Sequence, residues 1–150
     1  ENITILNINA PNNGAPTFLK QLLIDLRNEI DRNTIIVRDF STPLAVLDRS
    51  SRQKVNKDTI DLNYTLEQMD LTNIHRTFHP TTTEYTFYST EHGTFSKIDN
   101  MIGDKTSLSK FKKIEIIQST LSDHSEIKLE INSKRKLQTM QTHGNYITCS

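Results

Sequence analysis

Cysteine is almost absent from this sequence, neither sign of charge is in excess, and no apolar run is long. Cys149 is the only cysteine among the 150 residues, so we expect no disulfide partner, no cysteine-ligated metal site and a reducing, intracellular setting in the nucleus or cytoplasm. Lys and Arg together number 18, as do Asp and Glu, which removes a bulk attraction to nucleic acid or anionic lipid. No segment has the length and apolarity of a membrane span, so no membrane partner is predicted.

The length of the chain and the distribution of its charges favour a single domain with local patches. A chain of 150 residues is long enough to bury one hydrophobic core but too short for two domains of ordinary size. We expect a monomer. Three clusters of positive charge could contact an anionic partner, although a solvated face is the commoner explanation of any one of them. The clusters are Arg49 to Lys57, Lys110 to Lys113, and Lys134 to Lys136.

The first forty residues predict a strand, a helix and a second strand. Residues 3–8 are rich in β-branched side chains, and a turn segment with Pro, Asn and Gly follows them. After Pro16, apolar residues recur at steps of three and four up to Ile30, which predicts an amphipathic helix. Residues 34–37 then form a buried strand. A strand–helix–strand unit implies that the two strands run parallel.

The rest of the chain predicts a helix, a β-hairpin and further strands. The expected elements are a helix at Asp58–Met69, a hairpin from residues 81–88 and 94–101 around an exposed tip, a short helix at residues 107–111, and strands at residues 114–118 and 126–131. From residue 134 onward the apolar period stops. We therefore predict an α/β domain over residues 1–133, with a sheet or a pair of sheets flanked by helices, and a disordered tail over residues 134–150.

Four polar residues stand where predicted strands give way to loops: Asp39, Asp99, Asp123 and His124. Two or three carboxylates with a histidine suit a Mg²⁺ site that activates water and stabilises a phosphate under attack. An imidazole held by a second Asp would serve as the acid–base partner. Turn-forming or capping aspartates and a surface histidine remain the simpler alternative for each residue alone.

Other arrangements of reactive side chains are not expected. His75, His79, His92 and His143 are scattered and lack a paired ligand spacing, which argues against zinc. The serine pairs have no glycines of a nucleophile elbow, which argues against a Ser–His–Asp triad.

Seven blocks of the sequence closely resemble the endonuclease domain of mammalian LINE-type retrotransposon second-frame proteins. The blocks occur in order between about residue 1 and about residue 133, and a run such as Arg-Gln-Lys-Val-Asn-Lys has no general structural reason to recur. They are residues 5–12, 38–44, 47–50, 52–57, 83–87, 96–99 and 121–125. The resemblance implies the endonuclease/exonuclease/phosphatase fold, a four-layered α/β sandwich. It also implies a Mg²⁺-dependent phosphodiesterase that nicks one strand of target DNA to prime reverse transcription.

Residue roles follow from the resemblance, position by position. Asp39 would orient or deprotonate the attacking water, and with Asp123 it would hold the metal. His124 would contact the scissile phosphate, with Asp99 as its partner. The expected DNA or phosphate contacts are Asn12, Ser41, Thr86 and Ser122, and the hairpin tip at residues 89–96 would enter a groove of the DNA.

The sequence also departs from the pattern of that family. Arg38 stands where the family has Gly, Ser41 where it has Asn, Asn9 where it has Tyr, and Asn100 where it has His. The family's first strand and its Gln-Glu-Thr motif, whose Glu is the principal metal ligand, would precede Glu1. We therefore expect that the N-terminal half of the sandwich is missing and that little or no activity remains. The alternatives are an active DNA endonuclease if that half is supplied, or a phosphatase or phosphodiesterase of the same fold.

Overall fold

The computed structural model describes residues 2–39, 43–45, 48–51, 54–119, 124–132, 138–143 and 146–149, with the backbone alone for residues 38, 39, 138–143 and 146–149. This part of the chain contains ten strands and three α-helices. The strands are β1 (Thr4–Asn7), β2 (Thr34–Asp39), β3 (Leu71–Asn73), β4 (Phe87–Ser89), β5 (Thr94–Ser96), β6 (Asp99–Asp104), β7 (Phe111–Ile117), β8 (Glu126–Ile131), β9 (Gln138–His143) and β10 (Tyr146–Cys149). The helices are α1 (Ala15–Asp25), α2 (Lys57–Gln68) and α3 (Ile74–Phe78), and Lys105–Lys110 is a 3-10 helix.

A four-stranded mixed sheet lies at the centre of the fold, in the order β1-β2-β6-β3. β1 pairs with β2 in parallel, so the predicted parallel strand–helix–strand unit is confirmed. β6 runs antiparallel to both of its neighbours. Because β6 runs opposite to β2, the start of β6 lies at the same edge of the sheet as the end of β2.

Packed layers cover both faces of the central sheet. Ile36 packs on one face with Leu19 of α1 and Leu62 of α2. Its neighbours Ile35 and Val37 pack on the other face, against side chains of β7 and β8. Successive side chains of a strand point to opposite faces, so three consecutive apolar residues are all buried only when each face is covered. The layers are helices, a mixed sheet and an antiparallel sheet, in agreement with the predicted α/β sandwich.

The second large sheet is antiparallel, in the order β10-β9-β8-β7, and it extends into the predicted tail. β9 pairs with β8 from Ile127↔Thr142 to Ile131↔Gln138, and β10 pairs with β9. Both strands lie within residues 134–150, for which the missing apolar period predicted a disordered tail. A strand that pairs with an existing sheet needs only β-tolerant residues such as Thr and Ile and a neighbour with unpaired backbone groups.

The hairpin is shorter than predicted. β4 and β5 pair over three residues each, from Phe87↔Ser96 to Ser89↔Thr94. Beyond Ser96 the chain leaves the hairpin, and β6 joins the central sheet, where residues 99–103 are all buried. β3 and α3 were not predicted, because elements of three and five residues carry too little periodicity.

No helix in the described ranges is long and apolar enough to cross a membrane.

Candidate active site

An aspartate and a histidine that are distant in sequence form a close pair at the edge of the central sheet. Nδ1 of His124 lies 2.8 Å from Oδ2 of Asp99. The ionised carboxylate can only accept, so Nδ1 carries the proton in this pair. The Asp99 side chain is 8 % exposed and that of His124 is 21 % exposed. The carboxylate is thus held inside the protein while part of the imidazole reaches the surface.

The start of the hairpin supports this pair from two sides. The backbone of Phe87 forms an antiparallel bridge with that of His124, and the two rings lie 4.9 Å apart at 45°. The hydroxyl oxygen of Thr86 accepts hydrogen bonds from the backbone N–H groups of Ile98 and Asp99, each at 3.1 Å. The carbonyl of Thr86 also accepts from the N–H of Ser125 at 2.7 Å. Two adjacent residues therefore fix both members of the Asp99–His124 pair.

Thr86 does not occupy the position that the sequence predicted for it. It was expected to contact DNA, but the residue is 0 % exposed, and its hydroxyl is committed to the backbone of the strand that carries Asp99. The expected DNA contact is therefore corrected to a supporting role beneath the site.

Replacing Thr86 by valine is expected to lower the free energy of unfolding by about 1.5 kcal/mol, since valine keeps the shape but leaves the N–H groups of Ile98 and Asp99 without this acceptor. Urea denaturation followed by circular dichroism measures the change. The matched control is Thr65→Val, because the hydroxyl of Thr65 donates to a carbonyl within α2, at Asp61, and its loss should cost less. Equal losses for the two variants would contradict the role assigned to Thr86.

Asp39 ends β2 at the same edge of the sheet. Its backbone pairs directly with that of Asp99, and Arg38 pairs with Asn100. Because β1 and β2 are parallel, the segment after β1 leaves from this edge as well. The structure therefore places the backbone of Asp39 and the Asp99–His124 pair at one rim of the sheet.

The other predicted site residues fall into two groups. Asn12 is exposed in the bend that follows β1 and precedes α1. Ser41, Ser122 and Asp123 lie outside the described residues.

Comparison with known proteins supports the layered arrangement around this rim. No protein-family model matches the chain. An AP endonuclease from Archaeoglobus fulgidus superimposes with a TM-score of 0.72 at 14% identity, covering 86% of this chain and 61% of that chain. A 3′–5′ exonuclease from Neisseria meningitidis gives 0.71 at 18% identity, with coverages of 86% and 61%. The endonuclease domain of TRAS1, a telomere-specific non-LTR retrotransposon, gives 0.66 at 14% identity, with coverages of 88% and 58%.

The chain has the endonuclease/exonuclease/phosphatase fold. It spans about three fifths of the length of these proteins. At such low identity the likeness establishes the fold alone.

The sequence did not predict a buried ionic cluster, which consists of Asp48, Arg76 and Lys97, next to this rim. Asp48 is 1 % exposed and Lys97 is 0 % exposed. A carboxylate oxygen of Asp48 lies 2.5 Å from Nη2 of Arg76, and the other accepts from the N–H of Ala45 at 3.0 Å. The carbonyl of Asp48 accepts from the N–H of Lys97 at 2.7 Å. These contacts join residues 48–51, helix α3 and the chain between β5 and β6.

Lys97 has an unusual environment for a lysine. Its Nζ donates to Oδ1 of Asn73 at 3.4 Å. Burial lowers the pKa of Lys97 to about 8, with Arg76 acting in the same direction and the carboxylates of Asp48 and Glu84 opposing it. Lysine is rarely fully buried unless it is paired, so no pattern in the sequence distinguished Lys97 from a surface residue.

His75 is also buried, at 1 % exposure. Within the part of the chain that the structure describes, neither ring nitrogen has a hydrogen-bond partner, and Nε2 lies 3.6 Å from a carboxylate oxygen of Glu84. Burial, and then the nearby Lys97, His79 and Arg76, lower the pKa of His75 to about 3. His75 therefore stays neutral at physiological pH.

The predicted scatter of the histidines is wrong for one pair, since the rings of His75 and His79 are 4.9 Å apart. His75 lies in α3, and His79, four residues later, is the C-cap of that helix. Among the described residues, no three His, Cys, Asp or Glu side chains form a group that could hold a metal ion.

Proposed function

We propose that this chain is the DNA-directed phosphodiesterase domain of a mammalian LINE-type retrotransposon endonuclease, that it binds DNA at the rim around Asp99 and His124, and that its cleavage of DNA is weak or lost. The observation that carries the proposal is the 2.8 Å contact between Nδ1 of His124 and Asp99, at the edge where Asp39 pairs with Asp99 in register.

DNA is the substrate class that the similar structures favour. They include AP endonucleases, a retrotransposon endonuclease domain, and a 3′ phosphatase from Neisseria bound to a product DNA hairpin, which superimposes with a TM-score of 0.70 at 17% identity. The sequence blocks shared with LINE-type endonucleases favour a retrotransposon origin over other enzymes of this fold.

The geometry of the pair suits contact with a phosphate. A carboxylate behind an imidazole fixes its tautomer and its orientation, and it stabilises the imidazolium when a proton is taken up. In the proposed site, His124 contacts the scissile phosphate and offsets the charge that develops on it. Asp99 keeps the ring aimed, and Asp39 orients the attacking water.

The residues at the rim have the chemistry that Mg²⁺ requires. Mg²⁺ prefers one or two carboxylates together with water and substrate phosphate. The backbone of Asp39 lies opposite that of Asp99 in register, and Asp123 directly precedes His124 in the sequence, which supports these two aspartates as the ligands. Asp39 and Asp123 would hold the ion, which would activate water and neutralise charge on the phosphate.

Substitutions within the family motifs support weak activity. Ser41 offers one hydroxyl where the family has a planar amide for the phosphate, and Arg38 adds a long cation where the family has no side chain. Asn100, which replaces a histidine, is 1 % exposed. Its amide donates to the carbonyl of Ile98 and accepts from Asn73, so it supports the strand instead of facing a substrate.

Fluorescence anisotropy with a duplex oligonucleotide tests the proposed contact. We expect salt-dependent binding in Mg²⁺, and we expect His124→Ala to weaken it by about 10-fold because a charge-assisted contact to phosphate is lost. The control is Lys112→Ala, which removes an exposed cation of β7. If the two variants weaken binding equally, or if the chain does not bind DNA, the proposed site is wrong.

A plasmid assay tests the proposed loss of cleavage. Supercoiled DNA incubated with the protein in Mg²⁺ is expected to show slow nicking or none, and EDTA should abolish any that occurs. Rapid Mg²⁺-dependent nicking that is lost in Asp39→Ala would show that the domain is an active endonuclease.

A further inference from the structure

The strand that carries Asp99 is held by side chains on both sides of that residue. Thr86 accepts from the N–H groups of Ile98 and Asp99. Asn100, the next residue, donates from its amide to the carbonyl of Ile98 at 3.0 Å. The backbone around Asp99 therefore has more polar contacts than the ladder of β6 alone would provide.

Asn73 connects this strand to the buried ionic cluster. Its Nδ2 donates to Oδ1 of Asn100 at 2.7 Å. Its own Oδ1 accepts from Nζ of Lys97 and, at 3.1 Å, from the N–H of Arg76 at the start of α3. A continuous set of contacts thus runs from Arg76 and Lys97 to the residue beside Asp99.

The backbone of Lys97 connects this set of contacts to residues 48–51. Its N–H donates to the carbonyl of Asp48 at 2.7 Å. In the same segment the backbone of Arg49 forms an antiparallel β-bridge with that of Ser96, and the N–H of Ser50 donates to the carbonyl of Phe95. The contact with Asp48 is made by the backbone of Lys97. The side chain of Lys97 contacts Asn73, whose amide donates to Asn100, the residue after Asp99.

We propose that Lys97 is a positioning residue, whose ammonium group acts through Asn73 and Asn100 on the strand of Asp99 and so keeps the carboxylate of Asp99 aligned with His124. Lys97 touches neither DNA nor phosphate, and it acts from the interior. The inference deepens the proposed function, and it rests on that function only where DNA affinity is concerned.

Lys97→Met tests the proposal, because methionine keeps an unbranched side chain but removes the charge and the side-chain donors. The backbone N–H that donates to the carbonyl of Asp48 remains in the variant. The first measurement is the ¹⁵N NMR spectrum of the His124 ring. The wild type should show the Nδ1-protonated form, and Lys97→Met should shift the ring toward a mixture of tautomers. The second measurement is affinity for duplex DNA, which should fall about 3- to 30-fold, the range seen for networks that couple sites.

Two further variants separate positioning from general loss of stability. Leu66→Ala removes a buried side chain of α2 that packs in the cluster on the helix side of the sheet, and it should destabilise the protein while leaving the His124 spectrum and DNA affinity unchanged. Lys97→Arg keeps a cationic donor and should retain more of the wild-type spectrum than Lys97→Met.

Each result bears on the inference separately from the proposed function. An unchanged His124 spectrum in Lys97→Met overturns the inference, and so does an equal change in Leu66→Ala. A changed spectrum confined to Lys97→Met supports the inference even if the wild type fails to bind DNA, in which case it is the proposed function that fails.

Discussion

Replacing Asp48 by alanine is expected to lower the free energy of unfolding by about 3–5 kcal/mol, the cost measured for removing one partner of a buried ion pair. Asp48 is 1 % exposed and its carboxylate lies 2.5 Å from Arg76. Alanine would leave that guanidinium without its counterion. It would also leave the fully buried Lys97 without the carboxylate that favours its charged form.

The expected loss exceeds that of an ordinary hydrogen-bonding aspartate because Lys97 is fully buried and the Arg76 side chain is only 21 % exposed, so water hydrates the remaining charges poorly. Asp104 provides the matched comparison. Its Oδ1 accepts from the N–H of Thr106 at 2.7 Å at the start of the 3-10 helix, but it has no buried cation as a partner among the described contacts. Asp104→Ala should cost about 1 kcal/mol, as for other capping residues. Urea denaturation at pH 7 measures both variants.

A double variant shows whether the cost comes from the unpaired charge. Arg76→Met together with Asp48→Ala removes both charges of the pair, and the double variant should be less destabilised than the sum of the single variants. Additive losses, or an Asp48→Ala loss no larger than that of Asp104→Ala, would show that the cluster does not act as a buried ionic unit.

Strands and helices with a full period were predictable from the sequence. Ile35 to Val37 predicted a buried strand because three consecutive β-branched residues are all buried only in a strand whose two faces are both covered. The spacing of Leu62 and Leu66 predicted α2, which the structure places at Lys57–Gln68. The rim around Asp99 and His124 was predicted from position at strand ends and from resemblance, and the structure brings these two side chains into contact.

Features that depend on tertiary contacts were not predictable. The second strand of the hairpin ends at Ser96, and residues from Asp99 onward pair with β2 of the central sheet instead. No local sequence pattern marks the point where the chain passes from one sheet to the other. β9 forms because β8 offers it an edge. Asp48, Arg76 and Lys97 are charged residues that local pattern assigns to the surface, and only the folded chain brings them together inside.

Acidification is expected to destabilise the protein through His75. We expect a loss of about 2 kcal/mol between pH 7 and pH 5, and of about 3 kcal/mol by pH 4, from this residue alone. The pKa of His75 is lowered from 6.5 to about 3 by burial and by Lys97, His79 and Arg76. Glu84 is the carboxylate that faces the ring.

The sign follows from the protons bound in each state. Below pH 6.5 the unfolded chain takes up a proton on His75, whereas the folded chain does not until the pH approaches about 3. The folded state therefore binds fewer protons across this window, and stability falls as the pH is lowered through it. The contribution is fully present above pH 6.5.

His75→Phe isolates this contribution, since phenylalanine keeps an aromatic ring and does not titrate. The variant should lose about 2 kcal/mol less than the wild type between pH 7 and pH 5, in urea denaturation at each pH. His92→Gln is the control, because the His92 side chain is 70 % exposed and its removal should leave the pH dependence unchanged. The Arg76–Asp48 pair is present in both variants, so the comparison isolates His75. If His75→Phe loses as much stability as the wild type, or if the His75 ring titrates near pH 6 by NMR, His75 is not the source of the acid sensitivity.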